Sequence, residues 1–428
     1  MFPSQPSLFH DTSDPAALPD RSRSFARQLT DFRWDGKSTT ILATPVEADG
    51  QTLSVPTFLN EFWTSRQRAA HSLHEVSYRA CFKPQLPRFF VERLTWPGDT
   101  VYDPFMGRGT TLLEAALLGR VPAGCDINPL SRMLVEPRLR PPSLEAVRER
   151  LARVDWSAEE ESREDLLTFY HPDTLREICA LKAYLLRRVE GGPLDDVDGW
   201  IRMVAVNRLT GHSTGFFSVY TLPPNQAVSV VAQEKINADR NQVPPRRDVR
   251  RIILKKSRSL LADYDHATRA ALDTIASRHR LLTGPAAATP DIESSSVDLV
   301  VTSPPFLDVV DYAGDNWLRC WFCGIDPAGV RLTVPRKIDD WREAMTAVFT
   351  ELARILRPGG HVAFEVGEVR GGRVRLEEHV IPCGVRARLD PILLLINSQV
   401  FTKTAACWGV DNNLKGTNTN RIVLFRKP

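Results

Sequence analysis

From Val101 onward, short apolar runs that end in turns alternate with helical stretches, and this rhythm restricts the fold more than any other feature of the chain. TVYDPF is a short apolar run closing in a turn, and TTLLEAALLG is a helix stopped by Gly119. VPAGCDINP is a second strand, closed by Asp-Ile-Asn-Pro. VDLVVTSPPF reads as a buried strand running into a Pro-Pro turn. In DDWREAMTAVFTELARILRPGG, Trp341, Met345, Val348, Leu352, Ile355 and Leu356 recur at helical spacing before a Pro-Gly-Gly stop. HVAFEV, PILLLINSQ and RIVLF supply further strands. The alternation predicts an α/β fold, a mostly parallel sheet with helices on both faces.

The rhythm is lost between Pro142 and about Ile275. Helical stretches near 143–152 and 172–190 precede a loop-rich part containing RLTGHSTGFFSVYTLPPN. The segment 246–258, RRDVRRIILKKSR, then holds seven Lys/Arg against one Asp, a local balance of +6, whereas the whole chain carries only +3. Distribution therefore matters more than total charge. Arg246, Arg247, Arg250, Arg251, Lys255 and Lys256 are candidates for contact with a polyanion. A solvated helix face is the plainer alternative. This reading divides the chain into an N-terminal arm over 1–60, an α/β domain built from 61–140 and 276–428, and an insertion over 141–275. No apolar run approaches the roughly 20 residues that cross a bilayer. The N-terminus lacks a basic start followed by an apolar core. The seven cysteines follow no framework spacing, so a cytoplasmic protein with reduced thiols is expected.

In open α/β sheets, ligands sit beyond the carboxyl ends of the strands, and two segments fall there. The first is Asp103-Pro104-Phe105-Met106-Gly107-Arg108-Gly109-Thr110-Thr111. Gly107 and Gly109 remove side chains where a ligand must approach the backbone. Free amides at the start of the following helix can meet a carboxylate such as that of a methionine moiety. No Gly-Lys-Ser/Thr follows, so this is not a phosphate loop. Asp126, 23 residues after Asp103, can accept hydrogen bonds from both hydroxyls of a ribose, or simply close an Asx turn before Pro129.

The second segment is Thr302-Ser303-Pro304-Pro305-Phe306. Prolines carry no backbone N–H, so this turn exposes carbonyl oxygens. The Ser303 hydroxyl and the Pro304 carbonyl form a pair of acceptors suited to the two protons of an exocyclic NH₂. Phe306 can stack on a base that has left its helix. A plain turn with a core Phe is the alternative.

Asp-Pro-Phe-x-Gly-x-Gly-Thr, Asp-Ile-Asn-Pro and Thr-Ser-Pro-Pro-Phe together resemble the DNA amino-methyltransferase family, over about residues 70–135 and 280–428. Phe82-Lys83-Pro84-Gln85-Leu86-Pro87 is similar to that family's N-terminal cofactor motif, and the motif order resembles the α-type arrangement. The resemblance implies a Rossmann-like seven-stranded sheet whose last strand is antiparallel, S-adenosyl-L-methionine as methyl donor, and double-stranded DNA as partner. It assigns Asp103, Phe105, Gly107, Gly109, Thr110, Asp126, Lys83 and Pro84 to the cofactor, and Ser303, Pro304, Pro305 and Phe306 to catalysis. Ser-Pro-Pro-aromatic is the form typical of cytosine-N4 enzymes, while adenine-N6 enzymes more often show Asp/Asn-Pro-Pro-Tyr. The insertion becomes a target-recognition region, and a restriction–modification setting with a cognate endonuclease is implied.

Similar proteins often carry Gly-Asp after the third strand, where the carboxylate meets the cofactor's adenine. Here HRLLT is followed by Gly284-Pro285, and Asp291 stands as the substitute. No metal is expected. Cys320-x-x-Cys323 is half of a zinc-like spacing without a second pair and reads as a helix facing the core. His71, His74 and His212 have no acidic or cysteine partners at ligand spacing. Asp308 and Asp311 are candidates for orienting Phe306 or the base, and the polar loop 412–420 for bordering the base pocket. None of the seven cysteines is read as standing in a Pro-Cys motif of the kind that attacks cytosine C6, so ring-carbon methylation is not expected. The rival readings are adenine-N6 transfer, RNA methylation, and a non-catalytic DNA-binding protein on the same scaffold.

Overall fold

The computed structural model of the chain describes residues 20–63, 70–78, 81–158, 163–221, 227–305, 312–326, 329–330, 335, 337–369, 374–398 and 419–428. Nine strands share one sheet: β1 Thr40–Ala48, β2 Gln51–Asn60, β3 Thr100–Asp103, β4 Val121–Asp126, β5 Arg280–Thr283, β6 Val297–Thr302, β7 Leu356–Val366, β8 Asp390–Ser398 and β9 Thr419–Arg426. Their spatial order is β1-β2-β8-β9-β7-β6-β3-β4-β5. Strands β5, β4, β3, β6 and β7 pair in parallel, and β9 lies antiparallel between β7 and β8. These seven strands are the expected α/β core, in a Rossmann-like topology with the last strand reversed.

The other two strands correct the expectation of an arm over residues 1–60. Strands β1 and β2 form a hairpin about Asp49 and Gly50, both at positive φ, and β2 pairs in parallel with β8. An Asp-Gly pair with positive φ is the preferred two-residue hairpin turn. Helix α1 (Asp20–Asp31) buries Phe25, Ala26 and Leu29, with the Phe25 ring 5.8 Å from that of Phe90 on α2 (Gln85–Leu94). From residue 20 onward this segment belongs to the fold.

Every residue of β6 is buried, and its two faces serve two cores. Val297 and Val300 pack with α12 (Ile338–Ile355) and α13 (Glu377–Arg386), while Leu299 and Val301 pack with α1 and α2. A strand covered on both faces must read as a continuous apolar run, as VDLVVT does. Helix α12 buries Trp341, Met345, Val348, Leu352 and Ile355. Leu356, placed in this helix by spacing, instead opens β7, because the chain turns extended there (φ −64, ψ 138) ahead of Pro358.

The insertion is largely helical: α5 Leu144–Ala152, α6 Pro172–Glu190, α7 Asp196–Val206, α8 Val230–Asp239, α9 Val249–Leu260 and α10 His266–Ile275. Side chains of Ser143, Asp195, Ser229, Asp248 and Asp265 cap α5, α7, α8, α9 and α10 by accepting from first-turn amides. The insertion is not a free-standing lobe. Trp200, Met203, Leu151 and Ile253 share one core with Leu112 and Leu113 of α3 (Thr110–Leu117) and with Leu130 and Leu134 of α4 (Pro129–Leu139). Among the described residues, no helix is long and apolar enough to cross a membrane.

Candidate active site

Strands β3 and β6 are parallel neighbours, with Val101 opposite Leu299 and Tyr102 opposite Val300. The turns that follow them therefore leave the sheet side by side at its carboxyl end. Thr302 donates from Oγ1 to Asp103 Oδ1 at 2.6 Å, across 199 residues of sequence, and the Phe105 N–H reaches the same oxygen at 3.0 Å. Thr111 Oγ1 donates to the Val301 carbonyl at 3.0 Å. The strand ends from which the glycine turn and the proline turn leave are thus hydrogen-bonded to each other.

Asp103 is 2% exposed, and burial lifts its pKa to about 7 against the hydrogen bonds from Thr302 and Phe105. Its oxygens serve internal bonds. What it contributes to the site is the relative placement of two turns rather than an open contact. Asp126 is half-buried and ends β4. It accepts from the Gly107 N–H at 2.8 Å and the Asn128 N–H at 2.9 Å, and burial raises its pKa. The Asx turn and a ligand role are compatible, since a carboxylate has lone pairs for more than two donors.

The two glycines are required for different reasons. Gly107 has φ +47, and a Cβ there would stand 3.6 Å from the Tyr78 ring. Gly109 has φ +72, and a Cβ there would stand 2.4 Å from Val135 Cγ2 on α4. A packed valine by itself demands a glycine here, whatever ligand approaches the backbone. Gly109 is also the N-cap of α3 and offers no side-chain cap, so the first-turn amides of that helix are available to an anion. Thr110 is buried, its Oγ1 accepting from Arg108 Nε at 3.1 Å, and Phe105 is half-buried against the α12 core. Lys83 is exposed and Pro84 opens α2, joined to the glycine turn where Arg108 Nη2 approaches the Phe82 carbonyl at 3.5 Å. An uncapped helix start that donates, a carboxylate at the next strand end that accepts and a backbone at positive φ form a set that fits an amino-acid nucleoside such as S-adenosylmethionine.

On the other side, Ser303 is half-buried and Pro304 buried. The Ser303 hydroxyl bonds to Glu365, near the end of β7. Glu365 is 8% exposed, and burial raises its pKa against hydrogen bonds from Ser303 and Asn420. Asn420 Nδ2, on β9, donates to Glu365 Oε1. Trp341 Nε1 pins the turn from α12 by donating to the Pro305 carbonyl at 3.0 Å, one residue beyond the carbonyl assigned to the amine. Glu365 escaped the sequence reading, although an acid closing an otherwise apolar strand, HVAFEV, is a signal. Thr419 and Asn420, which open β9, are the described residues of the expected loop 412–420. Phe306, Asp308 and Asp311 lie outside the described residues.

Several expectations change in the tertiary structure. Asp291 lines a recess of about 280 Å³ with Thr100, Val121 and Arg280. Those residues open strands, so Asp291 sits at the amino end of the sheet and cannot clamp an adenine at the carboxyl end. His74 has an acidic partner after all, Glu114 Oε1 at 2.7 Å, and burial brings its pKa down to about 4. Cys320 and Cys323 pack in the core; the expectation of no Pro-Cys motif is corrected by Pro382–Cys383, which is buried within α13 rather than set at either turn. Within the basic stretch, Arg250, Arg251 and Lys255 are exposed on α9, where they line a groove of about 720 Å³ with Arg148 and Arg258. Arg250 lies over the Trp156 ring at 5.3 Å. Arg246 reaches Asp173 at 3.6 Å, Lys256 is held by Glu75 at 3.1 Å, and Arg247 is half-buried.

Residues 35–132 match the family model described as DNA methylase, N6_N4_Mtase. The type II methyltransferase M.BsoBI of Geobacillus stearothermophilus is 24% identical over 64% of this chain and 57% of its own length. M.MjaII of Methanocaldococcus jannaschii is 37% identical over 18% of this chain and 14% of its own. M.MvaI of Kocuria varians is 38% identical over 20% of this chain and 18% of its own. The matches thus span from just over half to a small part of these relatives. With its glycine and proline turns side by side at one end of the sheet, the chain is similar to the S-adenosylmethionine-dependent DNA amino-methyltransferases.

Proposed function

We propose that this chain methylates the exocyclic N4 of cytosine at a specific site in double-stranded DNA, with S-adenosylmethionine as donor. The observation that carries the reading is the junction of the two turns, Thr302 on Asp103 with Ser303 held by Glu365 beside it. When bound, the donor supplies an electrophilic methyl group on its sulfonium. Asp126 would hold its ribose and the first-turn amides of α3 its carboxylate, with Lys83, Pro84, Phe105 and Thr110 along the same edge. Ser303 gives its own proton to Glu365, which leaves the hydroxyl oxygen free to accept one N–H of the substrate amine. The Pro304 carbonyl accepts the other. Two such bonds draw the amine's lone pair out of ring conjugation and orient it for direct attack. The raised pKa of Glu365 suits it to receive, through Ser303, the proton that the amine sheds. Catalysis is then placement and fixed electrostatics, with no covalent intermediate on the protein.

An amine inside the stack cannot reach a donor at the sheet edge, so the base leaves the duplex and Phe306 stacks on it. The exposed Arg250, Arg251 and Lys255 meet backbone phosphates, while other side chains of the insertion read base edges. The type II names of the relatives favour a restriction–modification setting, with an endonuclease sharing the recognition site. Mass analysis of nucleosides from DNA of cells expressing the chain tests the reading, with N4-methylcytosine expected. N6-methyladenine would move it to the other base with the same roles. The absence of both modified bases would remove it. For the insertion, Arg250→Ala with Arg251→Ala is expected to flatten the salt dependence of DNA binding, by about 0.9 in log–log slope for each phosphate that is no longer neutralised. An unaltered slope would leave α9 as a solvated face.

A further inference from the structure

Residues 72–78 have little regular structure, yet their backbone is held by side chains from several elements. Arg138 Nη1, on α4, donates to the Leu73 carbonyl at 3.3 Å, and Arg108 Nη1, in the glycine turn, donates to the Val76 carbonyl at 2.9 Å. Asn207, at the end of α7 in the insertion, accepts from the Ser77 N–H at 2.6 Å. Arg319 Nη2 donates to the Ser77 carbonyl at 3.3 Å. Arg319 lies on α11 (Tyr312–Cys323), the helix that follows the proline turn, and its Nη1 donates to Asn316 Oδ1 at 2.8 Å. It is 9% exposed, with its guanidinium 5.6 Å from the Tyr78 ring. Tyr78 is the ring against which Gly107 packs, and its hydroxyl meets Asn128 Nδ2 at 3.4 Å, beside Asp126.

We propose that Arg319 is a positioning residue that ties the helix beyond the proline turn to the Tyr78 segment over the glycine turn, so that donor and acceptor sides are set as one unit. The proposal rests on the methyl-transfer reading above. A buried guanidinium spends one arm on its own helix and the other on a loop carbonyl, an arrangement that fixes the loop against the helix at low cost in freedom. The Asn207 bond joins the insertion to the same seven residues. Misplacement of about 1 Å between reacting groups costs on the order of 10²-fold in rate, so a slack Arg319 tether should appear in turnover rather than in binding.

The test compares Arg319→Lys and Arg319→Met with the wild-type chain. The measurements are single-turnover methylation of unmodified phage DNA, KM for that DNA, the calorimetric Kd for S-adenosylhomocysteine, and thermal unfolding. Lysine keeps the charge but cannot fork between Asn316 and Ser77. The expected result is a fall of roughly tenfold for lysine and up to about 100-fold for methionine in the single-turnover rate, with KM and Kd within about threefold of wild type. If methionine fails to fold, the lysine variant decides alone. A lysine variant with the wild-type rate per cofactor-binding site overturns the proposal, as does an effect seen only in Kd or in unfolding temperature. A wild-type chain that moves no methyl to DNA overturns the underlying reading as well.

Discussion

Ser303→Ala is expected to lower turnover by about 10²–10³-fold, the scale seen when one preorganised hydrogen-bonding group is removed from a reacting centre, while S-adenosylhomocysteine affinity stays within about twofold. Both halves of that expectation follow from where Ser303 sits. In the proposed mechanism its hydroxyl bridges Glu365 and the substrate amine, so alanine removes an acceptor and takes one of two hydrogen-bond donors from a buried carboxyl. The cofactor side is untouched, because Asp126, Gly107 and the start of α3 are held by their own bonds on the neighbouring strands. Glu365→Gln should fall between alanine and wild type: the amide still accepts from Ser303 but is no proton acceptor at neutral pH. Pre-steady-state transfer of labelled methyl, paired with calorimetric titration, reads both effects. Wild-type rates in Ser303→Ala would take the hydroxyl out of the mechanism, and a large drop in cofactor affinity would make it structural.

The second large effect is on stability. Gly109→Ala is expected to destabilise the chain by about 2–5 kcal/mol, combining a left-handed backbone under a Cβ with overpacking against Val135. A methyl at 2.4 Å from Val135 Cγ2 cannot be accommodated by a small rotation, because a valine side chain is short and branched. The steric part is separable. In the double variant with Val135→Ala, the destabilisation should be smaller than the sum of the two single changes, since the neighbour that clashes is gone while the φ strain remains. Strict additivity by thermal or urea unfolding would refute the clash and leave only the backbone strain.

The parts of the fold legible in the sequence are those governed by local rules. The apolar run VDLVVT, the stop at Gly119 and the helical spacing from Trp341 to Ile355 need no distant partner to be read. The hairpin at Asp49-Gly50 was equally legible, and only the polar composition ahead of it concealed it. The helices of the insertion are less plain in sequence, because their apolar faces are completed by α3 and α4 rather than by one another. Candidate site residues followed the same division. Ser303, Asp103 and Asp126 stand in motifs and were visible, and Asn420 fell in the polar loop named from the sequence, whereas Glu365 shows only as an acid in an apolar strand and Arg319 carries no local mark.

By itself, the sequence determined which turns close which strands and which residue types they present, because turn chemistry depends on a few consecutive residues. Only the tertiary structure decided what those residues are for. It made Asp103 join two strand ends, set a valine against Gly109, and carried Asp291 to the wrong end of the sheet for the task expected of it. The reason is physical: hydrogen bonds and steric contacts act over a few ångströms of space, and strand order, not chain order, sets which side chains come that close.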